Sequence, residues 1–139
     1  MQMKKWNNLA KKIQDNFRVI YSDEESFGIY VDLDGGRQQN VGFVLTGIGK
    51  RQFVHLDSII CDRKQVDIDK LMNLVSGMDI GGVSLADNLV TLHHSIALET
   101  LDEAISSYSS FDTLVYATIF LATKADEIQK ALKIKDDSY

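Results

Sequence analysis

Between Arg18 and Cys61 the chain abandons helical spacing for short β-branched and aromatic runs: RVIYS, FGIYVDL, NVGFVLTG and RQFVHLDSIIC. The segments between them, SDEES, DGG and GIGK, are rich in residues that occupy tight turns. The pattern predicts antiparallel strands joined by hairpins. Helical spacing appears on both sides of this region. Trp6, Leu9, Ala10, Ile13 and Phe17 fall on one stripe, with Lys4, Lys5, Lys11 and Lys12 elsewhere. Ile68, Leu71, Met72, Val75 and Met78 form another behind Asp67, an expected N-cap, and Gly81 and Gly82 close that unit.

Two further strands, VSLA and LVTLHHSIAL, are joined by Asp87 and Asn88, a pair that tolerates positive φ and suits a tight hairpin. Thr100-Leu101-Asp102-Glu103 has the form of a capping box, from which a helix is expected to run towards Lys135 with a break near Ser109-Ser110. Leu114, Ala117, Leu121, Ala125, Ile128 and Leu132 define its apolar stripe, and Val115, Ile119 and Ala122 widen it. The order helix, strands, helix, two strands, helix predicts an α+β fold, an antiparallel sheet with flanking helices, as one domain over residues 1–139.

A chain of 139 residues buries roughly two-thirds of its unfolded surface. At 45% hydrophobic and 25% charged it is far from the composition of disorder. A net charge of −5, with scattered basic residues, argues against a nucleic-acid partner, which needs clustered Lys and Arg. The cationic start, MQMKKWNNLAKKIQDNF, lacks the apolar core of a signal peptide, and no stretch reaches the roughly eighteen apolar residues of a membrane span. The expectation is a cytoplasmic protein without a membrane partner. Cys61 is the single cysteine, which fits a reducing compartment and a half-buried strand position.

The glycines of DLDGGRQQNVGFVLTGIGKR, residues 32–51, invite a phosphate-loop reading that the residues refuse. Such a loop needs GxxxxGK followed by Ser or Thr, whereas Gly49-Lys50 is followed by Arg51 and Val44 stands where the first glycine belongs. Asp32 and Asp34 open like a calcium loop, but Arg37 and Phe43 occupy its sixth and twelfth positions. Both stretches read as turns. Strand alternation sends His93 and His94 to opposite faces, His94 to the core with Val90, Leu92 and Ile96, and His93 outward with Thr91 and Ser95. His55 and Cys61 share parity, yet six residues of strand separate them by about 20 Å. No catalytic, metal-binding or cofactor-binding set emerges, and the expectation is a non-enzyme without a cofactor.

GRQQNV at 36–41, the following alternating strand, the strand ending SIIC, a short helix, a Gly-Gly turn, a hairpin and a terminal helix bearing Lys124-Ala125-Asp126 resemble the YbjN-like group of the type III secretion chaperone-like superfamily. The resemblance spans nearly the whole chain. It implies a small, acidic, dimeric cytoplasmic protein that binds a protein or peptide client and carries no catalytic residues. It points to Leu71, Met72, Val75 and Met78 as the homodimer interface. Phe27, Tyr30, Phe43 and Phe53 lie on strands with apolar groups on both faces, which makes them the candidate partner-binding surface, with core packing as the competing reading. The alternative to a polypeptide-binding module is a small-molecule sensor or enzyme whose pocket the sequence does not display.

Overall fold

A computed structural model describes residues 2–101 and 110–134. Helix α1 (Gln2–Asn16) leads into β1 (Arg18–Ser22), β2 (Ser26–Asp32), β3 (Gln38–Ile48) and β4 (Arg51–Asp62). Then follow α2 (Ile68–Val75), the hairpin β5 (Gly82–Ala86) and β6 (Leu89–Ala97), and α3 (Ser110–Ala131), with short 3-10 turns at Asp34–Gly36, Arg63–Gln65 and Leu98–Thr100. The strands form one antiparallel sheet in the order β1-β2-β3-β4-β6-β5. This is an α+β architecture with an open sheet. Glu103 of the expected capping box and the expected break at Ser109 lie outside the described residues.

The turns form where their chemistry demands. Asp87 and Asn88 both adopt positive φ, 51° and 65°, the pair of left-handed residues that a two-residue hairpin matching strand twist requires. Asp67 caps α2 by accepting from the backbone N–H groups of Asp69 and Lys70. At the far end of α3, Lys133 turns left-handed at φ 60° while the Ile134 N–H donates to the Gln129 carbonyl, so the helix closes at Ala131 rather than continuing to Lys135.

One face of the sheet carries the core. Phe27, Ile29 and Val31 of β2, Val41, Phe43 and Leu45 of β3, and Val54, Leu56 and Ile60 of β4 are all buried there. Trp6, Leu9 and Ile13 of α1 and Leu114, Leu121, Ala125 and Ile128 of α3 are buried in the same cluster. The Trp6 ring packs tilted against Phe27 at a centroid distance of 5.6 Å, Phe27 stacks on Phe43 at 4.5 Å, and the Trp6 indole N–H donates to the Glu24 carbonyl at 2.8 Å. Each such fully buried side chain contributes roughly 1.5–3 kcal/mol relative to exposure. Ile119, expected to widen the α3 stripe, is instead 44% exposed.

A bulge in β4 overturns the parity of Cys61. The register advances from Ile59↔Thr91 to Cys61↔Val90, leaving Ile60 as the extra residue. Cys61 therefore turns to the core side with Val90 and is fully buried, not half-buried and not on the face of His55. Side-chain amides serve the carbonyls at the bulge: Gln39 donates to Ile59 O at 3.3 Å and Gln129 to Ile60 O at 2.9 Å.

Burial pushes the Cys61 thiol up to about 11, with the charge of Asp62 adding to the effect. At pH 8 only about one Cys61 in a thousand is then a thiolate in the folded protein. A thiol-reactive dye is expected to label the native protein far more slowly than the urea-unfolded one. Equal rates would show Cys61 exposed and the bulge absent. Because the folded value is raised, the associated stability is present below the ordinary thiol range and is lost as pH rises from that range through about 11.

Candidate functional site

The other face of the sheet holds the chemistry. Pairing register lays a straight row across all six strands: Tyr21, Gly28, Gly42, Asp57, His93 and Gly82, each directly opposite the next. The register of β1 shifts between Val19 and Tyr21, which brings Tyr21 opposite Gly28. Its ring lies over that glycine so closely that a Cβ at Gly28 would sit 2.6 Å from the ring. The Asp57 carboxylate lies likewise over Gly42, where a Cβ would meet Oδ1 at 2.9 Å. The two glycines, the phenol ring and the carboxylate line one groove of about 230 Å³.

A square of polar side chains continues the row. His55 pairs with Ser95 and Asp57 with His93, so the two strands place four functional groups at adjacent positions on one face. His55 Nδ1 is 2.8 Å from Ser95 Oγ, and the His55 and His93 rings stack at 5.8 Å. Burial raises the Asp57 carboxyl above the usual carboxylate range, while His55 and His93 pull it back. Tyr21 is raised by burial first and by the Asp57 charge second. His94 faces the opposite way, as alternation predicts, and burial followed by the His93 charge lowers it. Its proton is favoured in the unfolded chain, so His94 opposes folding as pH falls below the ordinary histidine range.

This square does not make a hydrolase triad. A triad needs a carboxylate hydrogen-bonded to the imidazole nitrogen remote from the serine, and among the described residues no carboxylate bonds His55. Among the described residues no three His, Cys, Asp or Glu side chains converge to hold a metal ion, and no helix is long and apolar enough to cross a membrane.

The candidate surface aromatics divide between the faces. Phe27 and Phe43, 1% and 0% exposed, are core residues stacked under the helices and present no surface. Tyr30 is half-buried on the other face beneath the Arg18 guanidinium, 4.6 Å from the ring centroid. Phe53, opposite Thr46 and Ala97, is also half-buried there. Of the candidate interface residues, Leu71 is 2% exposed and belongs to the core. Met72 is 52% exposed, and Val75 and Met78 are half-buried. The exposed side of α2 therefore carries Ile68 and Met72 beside the polar Asp69, Lys70 and Asn73.

The sheet edge is the other functional feature. Every residue of β1 is exposed, and Val19, Ile20 and Tyr21 put three adjacent apolar side chains on an outermost strand. Asp57, Ser95, Tyr21 and the glycine pair escape a reading of the sequence, because they become neighbours only through register. The available signal was the i, i+2 spacing in His55-Leu56-Asp57 and His93-His94-Ser95, which puts each pair on one face. No family model, curated protein or solved structure matches the chain, and the functional reading rests on this geometry.

Proposed function

We propose that the protein is a polypeptide-binding, chaperone-like or regulatory module that works as a homodimer and catalyses no reaction. The observation that supports it is β1, an edge strand exposed along its whole length and lined by Val19, Ile20 and Tyr21. An unpaired edge offers backbone N–H and C=O groups to an incoming strand, and proteins that keep such an edge unused guard it with charge, proline or cover. Here Arg18, tied to Asp32 and Gln38, guards only the first position, and the bulge bends the strand without removing its apolar side chains. The occupant is an extended segment of a client chain that adds to β1 as a further strand.

Short peptides with alternating apolar side chains are expected to bind and to protect the β1 amides from hydrogen exchange. Replacing both Val19 and Ile20 with Lys is expected to weaken binding about tenfold or more, since charge on an edge is what suppresses strand addition. Unchanged affinity in that double variant would remove the edge from the mechanism.

We propose Met72, with Ile68 beside it, as the homodimer contact on α2, the two being exposed where Leu71 is buried. Light scattering is expected to read twice the 15.6 kDa of one chain, and Ile68→Glu with Met72→Glu to return it to one. A wild-type mass of one chain at micromolar concentration would refute the dimer. The alternative, a small-molecule sensor, draws on the groove beside Asp57.

A further inference from the structure

We infer that the groove over Gly28 and Gly42 is a binding site for a small free organic cation, an alkylguanidinium or alkylammonium compound. It is lined by the Tyr21 ring and the Asp57 carboxylate, which lie over Gly28 and Gly42, with Ile20 and Ile59 as apolar flanks. An aromatic face opposite a carboxylate is the chemistry that selects a cation on a short apolar stem. The absence of side chains on the two glycines lets the Tyr21 ring and the Asp57 carboxylate settle onto the sheet beside one another.

Asp57 adds a reason for occupancy. Its carboxylate is partly desolvated, and burial raises its titration above the usual range, the mark of a charge incompletely compensated by its neighbours. A ligand cation supplies that compensation. The net charge of −5 also favours the approach of a cation over an anion.

Reach decides between a free molecule and a side chain of the client. A strand added to β1 lies four strand spacings from Asp57 on β4, about 19 Å at roughly 4.8 Å per spacing. An arginine side chain on that added strand spans well under half of this, so the groove stays open to a separate molecule when β1 is occupied. The volume of about 230 Å³ suits a compound of a few carbons. The site is independent of which chain pairs with β1.

Titration of the isotope-labelled full chain with agmatine, followed by amide chemical shifts, tests the inference. The expected result is saturable shifts centred on Gly28, Gly42 and Asp57, with none from 1,4-butanediol, a neutral chain of similar length. Asp57→Asn is expected to weaken agmatine binding about tenfold or more, as loss of a charge-assisted contact does. Tyr21→Leu, at an exposed edge position, is expected to weaken it severalfold by removing the aromatic wall, and it carries the test should Asp57→Asn fail to fold. Binding is also expected to weaken on acidification. Asp57, which shares its face with His55 on the same strand and His93 on β6, then takes up its proton, Tyr21 remaining neutral. Agmatine shifts that are absent, or that survive both substitutions, overturn the site. Binding of a capped arginine-containing peptide without binding of agmatine overturns the free-molecule assignment.

Discussion

Leu121→Asp is expected to unfold the protein or to lower its stability by several kcal/mol, roughly 3 or more. Leu121 is fully buried at the middle of α3, in one cluster with Leu114, Ala117, Ala125 and Ile128 and with the core residues of the sheet. The substitution removes a large apolar side chain and sets an unpaired carboxylate in its place, and the two costs add. Against a total stability of about 5–15 kcal/mol for a single domain, that is enough to deplete the folded state. Urea denaturation followed by circular dichroism measures it. A variant as stable as the wild type would mean that α3 does not pack through this face, and the two-layer arrangement would fall with it. Ile119→Asp, two residues away on the exposed side of the helix, is the matched control and is expected to stay within about 0.5 kcal/mol.

The second large effect is expected at Asp126. Asp126 is 5% exposed and accepts from Arg37 Nε at 2.5 Å and from Lys130 Nζ at 3.0 Å. It ties the turn between β2 and β3 to the terminal helix across a sequence separation of 89 residues. Asp126→Ala leaves the Arg37 guanidinium without this carboxylate in a partly buried place. The expected loss is about 2–4 kcal/mol, below the full figure for a buried pair because a quarter of the Arg37 side chain, 24%, reaches solvent. A double-mutant cycle with Arg37→Ala is expected to show strong coupling between the two positions. Independent, additive losses would show that the contact contributes nothing of its own.

The pair Arg37 and Asp126 also explains why GRQQ and Lys-Ala-Asp stand out in the chain. Gly36 adopts positive φ to end the turn, and Arg37 reaches α3. Gln39 is buried, donating to Ser58 Oγ and to the carbonyl of Ile59 at the bulge. These residues are a polar seam between sheet and helix. The sequence marks them as unusual, but it carries no sign of their partners, because each bond closes a loop of tens of residues.

Local elements were legible because their causes are local. The apolar stripe of α1, the Asp67 cap, the Asp87-Asn88 hairpin and the glycine turns at Gly35 and Gly49 follow from side chains within a few positions of one another. Alternation likewise separates Phe27 from Tyr30 and His93 from His94. What it does not say is which face the helices cover, and so Phe27 and Phe43 share the surface reading with Tyr30 and Phe53 until α1 and α3 are seen to lie over the first pair. Strand parity also assumes an unbroken ladder. The bulge at Ile60 breaks it and moves Cys61 from the face of His55 to the core.

The sequence by itself determined the α+β class and the local turns and caps, since periodicity and turn chemistry are properties of neighbouring residues. Only the tertiary structure decided the register that aligns Tyr21, Gly28, Gly42, Asp57 and His93, the exposure of β1 and the burial of Asp126. Those depend on contacts between residues far apart in the chain, and a one-residue slip in any strand would dissolve the row while leaving the sequence pattern of every element intact.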